Sequence, residues 1–236
     1  MKYQTLFFDL DDTLWAFSQN TCETFEEMYH KYGYDRYFES FPHFYDLYEA
    51  HNYYLWQDYG AGIISKEALN HQRFLYPLLE VGAGNSEAHA EELARDFADD
   101  FFAVITTKSG LMPYAREVLE YLAPRYHLYI LSNGFKELQR RKMQSAGIEH
   151  YFKKIILSDD VGYLKPHPEI FRQALAIADT DAEAALMIGD NWENDIAGAY
   201  NAGIDQVFYN HTLRTGMRQF QSTYLITDLR ELMQIL

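Results

Sequence analysis

The chain is 236 residues long, 48% hydrophobic and 17% aromatic, with a formal charge of −15 at pH 7. This composition can bury a core and excludes a disordered chain, and the acidic excess excludes a nucleic-acid partner, which needs a basic footprint. The single cysteine, Cys22, excludes an internal disulfide and a cysteine-built metal site, and the apolar runs are too short for a signal peptide or a membrane span, so a cytoplasmic protein without a membrane partner is expected.

In chain order, the first short apolar run covers residues 3–8 and ends at Asp9. Similar runs follow at 128–131, 155–157, 185–188 and 206–209, the first three of these also ending in polar residues. Runs of this length, rich in β-branched and aromatic residues, suit buried parallel strands. Between them the sequence predicts helices over 114–122, closed by Pro124; over 135–146, closed by Gly147; over 168–178, opened by Pro168; and over 193–202, before Gly203. Strand–helix alternation predicts an α/β fold, a doubly wound parallel sheet. Residues 16–108 differ. They have no comparable strand runs and suit helices at 22–32, 44–54, 66–79 and 86–102, broken at residues 82–85. The expected organisation is therefore a core of residues 1–15 and 109–236 with an α-helical insert at 16–108.

Four sites carry chemistry. Asp9 and Asp11 stand two apart at the end of the first strand, so both can face its carboxyl edge. Two close carboxylates invite a divalent cation, and also a division of labour in which one attacks and the other handles a proton. Ser132-Asn133-Gly134 follows the second strand, where a hydroxyl and backbone amides can hold phosphate oxygens. Lys165 precedes Pro166, which favours an extended presentation of its ammonium. Asp190 and Asp195 follow the fourth strand, as ligands of a hard cation or as complements to a helix N-terminus. Each feature alone has an ordinary reading: a polar turn, a helix cap, a surface lysine. Together they fall at the carboxyl ends of separate strands, which points to one shared site.

This ordered set resembles the four motifs of the haloacid dehalogenase superfamily. The resemblance implies a Rossmann-like core with a helical cap inserted after the first motif, which should roof the site and admit small molecules. It implies Asp9 as nucleophile and Asp11 as general acid and base. Ser132, with the Asn133 backbone, would bind the phosphoryl group, and Lys165 would join nucleophile and phosphate. A Mg²⁺ would be held by Asp9, the Asp11 carbonyl and Asp190, with Asp195 at or behind that set. Dehalogenases of the superfamily lack the second aspartate, and Asp11 is present here, which favours a phosphatase acting on a small phosphate monoester. Leu55-Trp56-Gln57-Asp58-Tyr59-Gly60-Ala61-Gly62-Ile63, Arg73-Phe74 and the Ser132-Asn133-Gly134-Phe135 stretch with Leu138-Gln139 are similar to pyrimidine-preferring nucleoside 5′-monophosphatases. Phe17, Trp56 and Tyr59 could stack on a base or pack in the insert. A sugar phosphatase, a dehalogenase and a non-catalytic binding protein are the alternatives, and the chain is expected as a monomer or homodimer.

Overall fold

The computed structural model describes residues 2–84, 86–213, 215–216 and 220–236; Met1 and Asn85, the latter part of the expected break at 82–85, lie outside them. The chain divides into two compact units, one of Met1–Ser18 with Lys108–Leu236 and the other of Gln19–Thr107.

In the first unit, six strands form one parallel sheet in the order β3-β2-β1-β4-β5-β6. They are β1 (Thr5–Phe8), β2 (His127–Ser132), β3 (Lys154–Leu157), β4 (Ala185–Gly189), β5 (Asp205–Tyr209) and β6 (Tyr224–Ile226). Every residue of β1 and β4 is buried, as a central parallel strand requires. Alternation assigns Phe7, Tyr129, Leu131, Ile156 and Met187 to one face. There they pack with Ile170, Phe171 and Ala174 of a helix at Pro168–Ala178. The chain runs β1 to β3 on one side and returns as β4 to β6 on the other, so a crevice is expected at the carboxyl end of β1.

The helices, numbered along the whole chain, are α1 (Phe17–Lys31), α2 (Phe41–Gly60), α3 (Lys66–Glu80), α4 (Glu87–Ile105), α5 (Ala115–Leu122), α6 (Lys136–Ser145), α7 (Ser158–Val161), α8 (Pro168–Ala178), α9 (Gly198–Asn201) and α10 (Leu232–Ile235). One difference from expectation bears on the site. The helix expected over 193–202 is a π-helical turn at Trp192–Ala197 followed by α9. The amide N–H of Ile196 reaches the Asn191 carbonyl, five residues back, at 3.4 Å, which widens the turn. The short edge strand β6, α7 and α10 were not anticipated.

The second unit is helical. Helices α2, α3 and α4 open on Ser40, Ser65 and Ser86, whose side chains accept from backbone amides three residues on. Its core gathers around Phe25, whose ring centroid lies within 6.0 Å of Phe44, Tyr45, Tyr48, Phe74, Phe97 and Phe101. Arg73 is buried there, its guanidinium 5.0 Å from the rings of both Phe74 and Phe102. Trp56 and Tyr59 pack edge to face at 5.8 Å. No helix among the described residues is long and apolar enough to cross a membrane.

Candidate active site

Parallel pairing puts Phe8 level with Ile130 of β2 and Ile188 of β4. Asp9 is the next residue, and its N–H still donates to the Ile188 carbonyl at 2.9 Å, so its side chain leaves the sheet at the crevice. It is buried, 8% exposed. Lys165 reaches it from the loop before α8. The Lys165 ammonium donates to Asp9 Oδ1 at 2.6 Å, to Asp195 Oδ1 at 2.6 Å and to the Leu131 carbonyl at 2.8 Å. An ammonium has three donors, and all three are used. Burial acts to lower the Lys165 pKa, but the charges of Asp195 and Asp9 outweigh it and raise the value, so the lysine is a fixed cation.

Asn133 explains how Lys165 is aimed. Its side-chain amide donates to the Lys165 carbonyl at 2.9 Å while its oxygen accepts the Lys165 N–H at 2.7 Å. The side chain of Asn133 is thus engaged with the lysine backbone. Ser132, at the end of β2, is buried; its hydroxyl accepts from the Gly134 N–H at 3.1 Å and from Gln139 Nε2 at 2.8 Å.

Asp190 follows β4 and accepts from the Thr13 hydroxyl at 3.2 Å, with His211 Nε2 4.0 Å from its other oxygen. Burial, then the charges of Asp9 and Asp195, push its carboxyl up to about 8. Burial, partly offset by Lys165, raises Asp9 as well. Asp195 is fully buried, and its second oxygen accepts from the Asn191 N–H at 3.0 Å. One ligand atom from each of Asp9, Asp190 and Asp195 lies within 4.8 Å of the others. Two of these carboxyl groups share the Lys165 ammonium and Asp190 approaches both, an excess of acidic groups over cations in a poorly hydrated place. Oxygen donors carrying that excess fit a hard divalent cation. Both oxygens of Asp195 accept from protein donors, whereas among the described residues Asp9 accepts a side-chain donor through Oδ1 and Asp190 through Oδ1, so Asp9 and Asp190 are better placed to coordinate.

The Asp11 carboxylate belongs to a neighbouring arrangement. Oδ1 accepts from Lys142 Nζ at 2.9 Å and Oδ2 from Gln139 Nε2 at 2.8 Å. Asp12 takes the left-handed conformation, φ 57°, and accepts from the Ser18 N–H and hydroxyl, fixing the start of α1. Asp12 thus serves the turn after β1, while the Asp11 carboxylate is engaged by donors of α6. Asp9, Ser132, Asn133, Lys165, Asp190 and Asp195 converge through shared hydrogen bonds and close approach, with Asp11 joined to Ser132 through Gln139. Sequence reasoning missed Thr13 as a partner of Asp190, and Gln139 and Lys142 as partners of Asp11. Gln139 enters only through the Leu138-Gln139 resemblance, without a role; it forms the buried stripe of α6 with Lys142 and Met143. Phe17 lies 6.3 Å from Trp15, with the Lys142 ammonium 5.1 Å from its ring centroid.

A family model for haloacid dehalogenase-like hydrolases matches residues 3–203. The chain is 31% identical to the pyrimidine 5′-nucleotidase YjjG of Escherichia coli K12, over 100% of this chain and 99% of that one. It is 29% identical to the pyrimidine 5′-nucleotidase PynA of Streptococcus pneumoniae R6, over 100% and 96%. The magnesium-bound crystal structure of the putative HAD-hydrolase YfnB from Bacillus subtilis superposes with a TM-score of 0.85 at 27% identity, covering 100% of this chain and 99% of that one.

Proposed function

The chain belongs to the haloacid dehalogenase-like hydrolases and is a phosphoric monoester hydrolase, and from that premise we propose that it is a Mg²⁺-dependent nucleoside 5′-monophosphatase with Asp9 as its nucleophile. The observation that carries the chemistry is the buried Lys165 ammonium bound to Asp9 Oδ1 at 2.6 Å, a fixed cation beside the carboxylate oxygen that attacks. In the first step that oxygen bonds to phosphorus as the ester P–O bond breaks, and Asp11 gives the leaving oxygen its proton. In the second, Asp11 takes a proton from the water that attacks the phosphorus, and the Asp9–phosphorus bond breaks to release inorganic phosphate. Ser132 and the main chain of Asn133 hold the phosphoryl oxygens, while Lys165 cancels part of the charge that nucleophile and phosphate bring together. Asp9, Asp190 and the Asp11 carbonyl would hold Mg²⁺, with Asp195 behind them, and the ion would supply further charge neutralisation on the phosphoryl oxygens.

The substrate class is supported by full-length similarity to two proteins named as pyrimidine 5′-nucleotidases. Residues 16–108 are proposed as the cap of this architecture. Presence of Asp11 argues against dehalogenation, since a departing halide needs no proton.

The test is phosphate release from nucleoside monophosphates and sugar phosphates, with Mg²⁺ or chelator, for wild type and Asp9→Asn. Release that needs Mg²⁺ and Asp9 and is led by pyrimidine monophosphates supports the whole proposal. Release led by sugar phosphates keeps the mechanism and removes the nucleotidase assignment. Appreciable turnover by Asp9→Asn sinks the nucleophile.

A further inference from the structure

Helix α6 carries a strongly polar sequence, yet Gln139 is 0% exposed and Lys142 4%. The two stand three residues apart and therefore share a face. Each sends a donor to a different oxygen of Asp11: Lys142 Nζ to Oδ1 at 2.9 Å, Gln139 Nε2 to Oδ2 at 2.8 Å. The ammonium also lies 4.6 Å from the Trp15 ring centroid and 5.1 Å from that of Phe17, a partly aromatic enclosure that fixes where it points. Gln139 Nε2 reaches the Ser132 hydroxyl at 2.8 Å as well, while its amide oxygen has no partner among the described residues. One donor group therefore couples Asp11 to the serine loop. The loop makes room for it: a β-carbon on Gly134 would stand 2.0 Å from Gln139 Nε2.

Burying a lysine and an amide costs free energy that apolar side chains would not. Here both are spent on one carboxylate that is itself a quarter exposed. Folding alone gives no reason for such an arrangement. We propose that Gln139 and Lys142 are positioning residues that hold the Asp11 carboxylate between them, with Gln139 also setting Asp11 against Ser132. The proposal rests on the reading of Asp11 as the group that serves the leaving oxygen. It separates the two anchors by what they touch. Lys142 acts through Asp11 alone, so its loss should lower kcat and leave KM alone. Gln139 also holds Ser132, so its loss should lower kcat and raise KM.

The experiment compares wild type, Lys142→Met, Lys142→Arg, Gln139→Leu and Asp11→Asn on two esters. One is the alkyl phosphate monoester turned over best; the other is p-nitrophenyl phosphate, whose leaving group needs little help from an acid. Circular dichroism melting establishes that each variant is folded. Lys142→Met is expected to lose at least about tenfold more kcat on the alkyl ester than on p-nitrophenyl phosphate, as loss of acid assistance predicts. Lys142→Arg should recover most of that loss, and Gln139→Leu should show the same discrimination with a raised KM. If Asp11→Asn discriminates between the esters while Lys142→Met and Gln139→Leu lose equally on both or lose nothing, the positioning role is overturned. If Asp11→Asn itself loses equally on both, the assignment of Asp11 fails and the positioning role falls with it.

Discussion

Lys165 places one ammonium between two buried carboxylates and gives its third donor to the Leu131 carbonyl. A buried pair of this kind is weak evidence for stability while intact, because desolvation offsets the attraction. Removing one partner is different, since the remaining charges are left uncompensated. Lys165→Met should therefore destabilise the metal-free protein by about 3–5 kcal/mol, read as a lowered urea midpoint. The same substitution should cut kcat/KM by at least about 10²-fold, the scale of losing one aimed donor in a dry site. Wild-type stability in Lys165→Met would mean that the Asp9–Lys165–Asp195 contact is solvated in solution. Asn133 belongs to the same account. The sequence reading assigns its backbone to the phosphate loop and leaves its side chain without a role; that side chain grips the lysine backbone at both its N–H and its carbonyl.

At the scale of elements, the site is assembled where strands end, and the ends were legible because buried parallel strands read as short apolar runs. Asp9, Ser132 and Asp190 could be placed from that rule alone. The turn after β4 could not. Its sequence reads as a helix, but Asp195 must aim back toward Lys165, and the π-helical widening at Trp192–Ala197 accompanies that aim. Strand β6 escaped notice because it has three residues at an edge, with Leu225 exposed, and so lacks an apolar run. Gln139 and Lys142 were hidden for another reason: α6 has charged residues on every side, and only tertiary packing decides which of them is buried. A contrast between two elements tests this view. A β-carbon at Gly189 would stand 2.3 Å from Asp195 Oδ2, so Gly189→Ala should displace Asp195, cost about 1–3 kcal/mol and depress kcat. Ser86→Ala removes only the cap of α4 and should cost about 1 kcal/mol with kcat unchanged. Equal kinetic effects of the two substitutions would contradict the assignment of Asp195 to the site.

Over the whole molecule, 35 acidic residues against 20 basic ones leave a surface that repels itself more as pH rises. The site adds a local demand of the same sign. Burial and the charges of Asp9 and Asp195 raise the Asp190 carboxyl from its ordinary 3.8 to about 8, and Asp9 is shifted upward too. Between those two values the folded, metal-free protein keeps a proton on Asp190 that the unfolded chain has released. The folded state then binds more protons, so stability falls as pH climbs from about 4 to about 8. The raised Lys165 titrates far above this window and does not alter the sign. A cation that binds the folded carboxylates substitutes for the proton, and its contribution should grow as the proton is lost. Urea unfolding at pH 5 and pH 8, in chelator and in Mg²⁺, separates the site from the general surface charge, because the surface contributes to both series alike. Mg²⁺ should stabilise the protein more at pH 8 than at pH 5, and Asp190→Asn should flatten the chelator series and remove most of the Mg²⁺ increment. An increment equal at both pH values, or one that survives Asp190→Asn, would place the ion elsewhere on the acidic surface and leave the three clustered carboxylates without the role assigned to them.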